Sequence, residues 1–286
     1  MTDNDFEFIR KLLKQRSGLM LSAEKQYLVE SRLMPVAQRR GLPDLFELVR
    51  RLRAGNDETL TTEVVEAMTT NETFFFRDRV PFEHFRSVIL PALMAARDRQ
   101  KRIRIWCAAA SSGQEPYSLA MTIKEMGAVL DGFRIEILAT DISNEVLQKA
   151  TAGVYSQFEV QRGLPIQLLL KYFTQVGEAW QIAPQIRAMV QFRPLNLLTD
   201  FSRLGTFDLI ICRNVLIYFD QPTKTDVLDR LARVMAPGGY LILGAAETTI
   251  GLTHAFKSLP DKRGLYAPAD PVADKVIRFP AASLAS

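Results

Sequence analysis

Five separated stretches of this chain set polar residues among small or aromatic ones in patterns that suit a bound ligand. The first is Ala108-Ala109-Ala110-Ser111-Ser112-Gly113-Gln114-Glu115-Pro116-Tyr117-Ser118, which follows the apolar run Ile103 to Cys107. Its small side chains let a ligand approach the backbone, and Pro116 suits the first turn of a following helix. With one glycine it is neither a G-x-G-x-x-G fingerprint nor a Walker loop. The second ends in Asp141, whose carboxylate can take two hydrogen bonds from a ribose diol or cap the next helix. The third is Asn196-Leu197. The fourth is Arg213-Asn214, closing the apolar run from Phe207 to Cys212. A guanidinium and an amide emerging from a buried strand need partners, supplied by a ligand or by neighbouring loops, because unpaired buried polar groups cost a few kcal/mol. The fifth is Thr69-Thr70-Asn71-Glu72-Thr73-Phe74-Phe75-Phe76-Arg77. Its aromatics read as core or linker packing, whereas Asn71, Thr73 and Arg77 alternate with apolar positions and can point together into a cleft.

These stretches need a frame that brings them together. Residues 1–85 read as short helices with a linker: Phe6, Ile9, Leu12 and Leu13 recur at helical spacing, Ser22 is placed to cap a helix near Ala23, and Pro35 is placed to kink or split it. Leu45–Leu52 and Leu60–Met68 supply two further helices. From residue 86 to 267 strands and helices alternate, with strands at 103–107, 135–139, 190–192, 207–212 and 240–243, and helices from about Pro116, from about Ser143 and over 221–235. The fold class is α/β, with a mainly parallel, doubly wound sheet. Ligands bind such sheets beyond the carboxyl ends of the strands, where the five stretches fall. An insert at 154–192, with a short helix at 165–173 and β-prone Ala179-Trp180-Gln181-Ile182, reads as a small β-rich subdomain at the sheet's edge. Residues 268–286 read as a flexible, Ala- and Pro-rich tail. No internal repeat is present, and a monomer is the default.

Bulk properties narrow the function classes. The 286 residues are 48% hydrophobic and 24% charged, the balance of a globular protein. The acidic start Met1-Thr2-Asp3-Asn4-Asp5 is unlike a signal peptide, and no apolar stretch approaches about 20 residues, so membrane insertion is not expected. Two cysteines inside apolar runs and two histidines offer little for a disulfide or a zinc site, which fits the cytoplasm. Net charge is +4, but residues 10–53 hold eleven Lys/Arg against four Asp/Glu, a local +7. Lys25, Arg32 and Arg39 recur every seventh residue, a solvated helix face or a face for an anionic partner.

The sequence resembles the bacterial chemotaxis protein methyltransferases, the CheR family. Thr70-Asn71-Glu72-Thr73-Phe74-Phe75-Phe76-Arg77 is similar to that family's Thr-Asn-x-Thr-x-Phe-Phe-Arg signature, and residues 109–118, 139–143 and 212–220 resemble three more of its blocks, in the same order. The resemblance spans about residues 5–267. It implies a small all-helical N-terminal domain and a Rossmann-like domain that binds S-adenosylmethionine (SAM), leaving S-adenosylhomocysteine as product. It also implies site roles. Asn71, Thr73 and Arg77 would contact SAM from the linker, Glu115 would meet the methionine amino group, and Asp141 would hold the ribose. Asn196, Leu197, Arg213 and Asn214 would line the adenine and donor pocket, with Arg77 and Tyr218 nearest the transferred methyl.

The implied reaction is O-methylation of receptor glutamates to γ-methyl esters for sensory adaptation. The acceptor carboxylate, with a pKa of about 4.3, is already ionised near neutral pH, so no general base is needed. The basic helices, with Lys25, Arg32 and Arg39, would dock on the acidic methylation helices of the receptor. Some members also bind a pentapeptide tether at the receptor's C-terminus through a loop of the edge subdomain. Here that loop, within residues 172–180, is short, so tether binding is not expected. Alternatives are a nucleic-acid methyltransferase, for which no Asn/Asp-Pro-Pro-Tyr motif is present, and a non-catalytic SAM-binding regulator.

Overall fold

A computed structural model of the chain describes residues 1–269; the flexible-tail expectation for 268–286 falls almost wholly outside the described residues. The chain opens with four helices, α1 (Asp3–Ser17), α2 (Gln26–Arg39), α3 (Leu45–Ala54) and α4 (Glu58–Met68). Side chains set their starts. Thr2 and Asp5 form a capping box at α1, while Asp44 and Asp57 cap α3 and α4 through the amides of Glu47 and Leu60. Their apolar stripes close on one core that includes Ile9, Leu13, Val29, Leu33, Leu48 and Val64. Two local expectations fail here. Ser22 makes no side-chain cap, because a 3-10 turn (Ala23–Lys25) intervenes before α2. Pro35 lies inside an unbroken α2; it and Ser31, whose carbonyl loses its usual donor, are both exposed to solvent.

After a linker at 69–79, a helical run over residues 80–96 contains α5 (Val80–His84), a π-turn and α6 (Leu90–Ala96). The α/β alternation follows: β1 (Arg102–Ala108), α7 (Gln114–Met126), β2 (Arg134–Asp141), α8 (Asn144–Ala152). Then come β3 (Val154–Ser156), α9 (Gln157–Gln161), α10 (Ile166–Tyr172), β4 (Phe173–Val176), β5 (Ala179–Ile182) and α11 (Pro184–Arg187). The chain continues with β6 (Val190–Pro194), β7 (Phe207–Cys212), α12 (Gln221–Arg233), β8 (Met235–Leu243), β9 (Phe256–Ser258) and β10 (Leu265–Pro268). The main sheet has the order β6-β2-β1-β7-β8-β10-β9, parallel from β6 to β8 and antiparallel thereafter. Each residue of β7 is buried, as both faces of the sheet are covered there. The chain order reverses between β1 and β7, so their carboxyl ends frame a crevice. Among the described residues no helix is long and apolar enough to cross a membrane.

The insert forms a separate three-stranded sheet, β3-β5-β4, with a two-residue turn, Gly177-Glu178, between β4 and β5. Phe75 of the linker anchors it. Its ring is fully buried, edge-on to Tyr155 at 5.0 Å and to Phe173 at 5.6 Å. The linker that carries the polar residues 71–77 is thus clamped from beneath by the insert. Phe75→Ala should cost about 3–5 kcal/mol. Chemical unfolding would show this as a drop in the transition midpoint; a loss under about 1 kcal/mol would mean that the clamp is not formed.

Candidate functional site

The carboxyl ends of β1, β2, β6 and β7 open on one cleft of roughly 980 Å³, open to solvent. Asn71, Thr73, Arg77, Glu115, Asp141, Asn196, Leu197, Arg213, Asn214 and Tyr218 all line it.

The loop after β1 is bent by a run of left-handed residues: Ala109 (φ 61°), Ser111 (φ 50°) and Gly113 (φ 90°). Such geometry is uncommon outside glycine and concentrates at functional sites. At Gly113 a Cβ would lie 2.9 Å from that of Ala150, so only glycine lets the loop pass α8. Contacts hold the turn in place. Ala110 N–H donates to the Thr140 carbonyl (2.9 Å), Ser111 Oγ donates to the Asn71 carbonyl (2.9 Å), and Ser118 Oγ accepts from Phe76 N–H (3.0 Å). The last two stitch the linker to this loop. Helix α7 starts at Gln114, so Pro116 sits within its first turn.

Asp141 is buried at the end of β2. Its Oδ2 accepts from Ser111 N–H (2.8 Å) and its Oδ1 from Ser143 N–H (3.0 Å). Each oxygen keeps a further acceptor site. Burial raises its pKa above the ordinary carboxylate range, and the backbone amides of Ser143, Ser111 and Ile142 only partly offset this. The cap of α8 is Ser143 Oγ, not Asp141.

The neighbouring loops do supply partners for Arg213. Its Nη1 donates to Glu115 Oε2 (2.6 Å), and its Nη2 donates to Asp78 Oδ2 (2.6 Å) and the Arg77 carbonyl (3.0 Å). Burial raises the pKa of Glu115, with Arg213 acting in the opposite direction. Arg77 Nη1 donates to the Glu72 carbonyl (2.7 Å), and its guanidinium lies 5.6 Å from the Phe74 ring centre. Asn196 turns its amide elsewhere: Nδ2 donates to the Arg16 carbonyl (2.6 Å) and Oδ1 accepts from Leu198 N–H (2.9 Å).

Several contributors escaped the sequence reading. Glu247, in the turn after β8, accepts from four backbone amides: Gly244 (2.7 Å) and Asn214 (2.8 Å) on Oε2, Val215 (2.9 Å) and Leu216 (2.8 Å) on Oε1. It fixes Asn214, at φ 58°, and the segment leading to Tyr218. Its signal was available: Gly244-Ala245-Ala246-Glu247 repeats the motif of small residues and an acid at a strand's carboxyl end. Ser17 and Leu19, from the turn after α1, also line the cleft. Gly18 between them is left-handed, and a Cβ there would lie 2.9 Å from the Phe219 ring. Met20 N–H donates to the Tyr218 carbonyl (2.9 Å), and Lys14 pairs with Asp220 (2.7 Å), holding that carboxyl down to about 2.

Two family models match the chain. A family model described as CheR methyltransferase, SAM binding domain, matches residues 71–265, and one described as CheR methyltransferase, all-alpha domain, matches residues 4–69. The chain is 45% identical over 263 residues to chemotaxis protein methyltransferase 1 of Pseudomonas aeruginosa, covering 90% of this chain and 92% of that protein. It is 42% identical to chemotaxis protein methyltransferase Cher2 of Pseudomonas putida, covering 91% of this chain and 96% of that protein. Chemotaxis protein methyltransferase 1 of Vibrio cholerae is 40% identical, covering 93% of this chain and 96% of that protein.

The Glu247 clasp makes a direct prediction. Glu247→Gln keeps the shape but turns an amide group toward backbone donors, leaving at least one of them unpaired. Urea unfolding should show a loss of about 2–3 kcal/mol; stability within about 0.5 kcal/mol of the parent would mean that the clasp does not hold the turn.

Proposed function

The chain belongs to the CheR family of SAM-dependent methyltransferases, and on that premise we propose that it converts glutamate side chains of chemoreceptors into γ-methyl esters, in the cytoplasm. One observation carries the reading: ten polar and apolar residues from five stretches line a single cleft around the buried Asp141. The donor set fits SAM. The carboxylates of Asp141 and Glu115 suit ribose hydroxyls and an amino group, and the small residues 109–111 let the backbone approach a ligand. Asn71 and Thr73 would hold it from the linker side, and Leu197 would supply apolar contact for the base. In this reading Arg213 acts through Glu115 and Asp78, and Asn196 through the wall that it ties to Arg16.

Bound SAM supplies a methyl group activated by its attachment to a cationic sulfur. The residues of the chain then have to orient the acceptor and exclude water. A glutamate carboxylate is already a nucleophile at neutral pH, so the site needs no base. Arg77, anchored through Nη1 on the Glu72 carbonyl, can orient that carboxylate with its remaining donors. Tyr218, whose hydroxyl has no partner among the described residues and which also lines the cleft, can do the same. Placing oxygen and methyl carbon in line is the main task, worth up to several kcal/mol.

Receptor docking is assigned to the helical domain. Eight of the eleven basic residues between 10 and 53 already engage acids or carbonyls. Arg32 is among them: it donates to the carbonyls of Met68 and Thr69, bracing the linker. Lys11, Lys25 and Arg39 remain exposed and free among the described residues, and Lys25 and Arg39 form the docking pair on the proposed receptor-facing side.

Incubation with methyl-labelled SAM should place base-labile label on receptor-containing membranes; alkali-stable label on RNA instead would overturn the reading. Arg77→Ala should lower kcat/KM for the receptor at least about tenfold, and unchanged turnover and SAM affinity would remove Arg77 from the site. Binding should also depend on pH. The free-site pKa values of Asp141 and Glu115 are raised, and a bound cation with hydroxyl donors favours their ionised forms. SAM affinity is therefore complete above those values and lost as pH falls through them, beginning above the usual carboxylate range of about 4. Calorimetry in buffers of different ionisation enthalpy should detect proton release on binding at mildly acid pH; pH-independent affinity without proton release would refute the assignment.

A further inference from the structure

The main sheet carries a second concentration of charge, toward the amino ends of the strands that deliver Asp141 and Asn196 to the cleft. The register of β1 on β2 sets Arg102 beside Arg134 and Arg104 beside Glu136. All four side chains lie on one face of the sheet, because Ile103, Ile105, Ile135 and Ile137 enter the core on the other. On β6, Val190 and Phe192 take that same core side, so Gln191 and Arg193 share the arginine face. The connection from β6 to β7, residues 195–206, contains only a 3-10 turn (Ser202–Leu204) where a helix would normally cover a parallel sheet. Leu197 and Phe201 of this connection cover Trp106 and Leu138, so the exposed strip runs from the amino ends of β1 and β2 along the edge strand β6. Arg102, Arg134, Gln191 and Arg193 are exposed, with side-chain exposures of 53% for Arg102 and 77% for Arg134.

The charges on this strip do not balance. Glu136 alone meets three guanidiniums: Arg102 (2.8 Å), Arg134 (2.8 Å) and Arg104 (3.3 Å). Its carboxyl is held below the usual range, first by the hydrogen bond from Arg102, so it is already ionised and shared. Arg193 has only an amide contact, to Gln191 Oε1 at 3.0 Å. Four arginines against one glutamate leave a surplus of three positive charges. Thr140, the partner of Arg193 in the ladder, lies six residues along β2 from Arg134. The strip is therefore about 20 Å long and ends beside the rim of the cleft.

We propose that this arginine strip is a second docking surface, for an acidic segment of the receptor protein undergoing methylation; the proposal rests on the receptor reading given above. Arg102 already grips Glu136 with both Nε and Nη2, at 3.2 and 2.8 Å, the forked geometry that suits carboxylates. The strip is narrow and leads to the cleft, which matches an elongated acidic segment better than the plane of a lipid surface. A receptor held along it, together with the helical domain, is gripped on two sides of the entrance, and Glu136 acts as an internal competitor for the arginines.

The test uses the full-length protein with Arg102, Arg134 and Arg193 all replaced by Gln, and a lipid-free soluble cytoplasmic fragment of a receptor as substrate. Parent activity on that fragment is the control for the function itself; its absence would count against the receptor reading and not against the strip alone. At low salt the triple variant should raise KM for the fragment at least about fivefold, and the difference should shrink toward unity near 0.5 M salt. Its kcat and its affinity for SAM should be unchanged, which also reports on folding. Glu136→Gln should move KM for the fragment in the opposite direction, a shift that a purely structural role would not produce. Unchanged KM at low salt in the triple variant overturns the proposal, as does a defect seen only with anionic vesicles.

Discussion

Arg213 is the constraint around which the site is assembled. It leaves the end of a fully buried strand, its side chain is 2% exposed, and it meets Glu115 and Asp78 on opposite sides. A guanidinium cannot shed its proton in such a place, so partners must be brought to it. They come from two other parts of the chain: the first turn of α7 and the linker behind Arg77. The attraction itself is nearly cancelled by desolvation, and its effect is geometric. Removing either acid would leave half of a buried guanidinium's charge partners missing, so the linker, the β1 loop and the β7 loop are held to one meeting point.

The cleft's other loops are held by the same device, a polar side chain satisfying strained backbone. Glu247 gathers four amides from two strand ends, and Asp141 gathers two. The left-handed conformations of Ala109, Ser111 and Asn214 persist because these contacts over-determine them. Rigidity at the strand ends is what lets small side chains leave room for a ligand without the loops collapsing inward. The burial that achieves this also pushes Asp141 and Glu115 toward neutrality, so part of the protein's stability is given up at the place where ionised carboxylates are required.

Much of this frame was legible in the chain because burial writes itself into short apolar runs. Ile103–Cys107, Ile135–Ala139 and Phe207–Cys212 are nearly continuous, as strands covered on both faces must be. Strands β9 and β10, of three and four residues, have no period of their own and exist through pairing with β8 and with each other. Of the longer β8 only 240–243 was legible, as Pro237-Gly238-Gly239 reads as a turn. In the cleft, residues next to strand ends could be read because position along a strand predicts where they emerge. Glu247 could have been read by the same rule. Ser17 and Leu19 could not, since their place depends on how one folded unit rests on another, and no local pattern encodes that. The fate of Arg32 was hidden for the same reason: its spacing marks a face, while its partners lie 36 and 37 residues away in the linker.

The turn after α1 closes one wall of the cleft, and Lys14, Met20 and Asn196 fasten it there. Ligand in the cleft and any protein resting on the first helices would therefore share this turn. Thermodynamic reciprocity then applies: whatever factor a docked partner imposes on the grip for the methyl donor, the donor imposes on the grip for the partner.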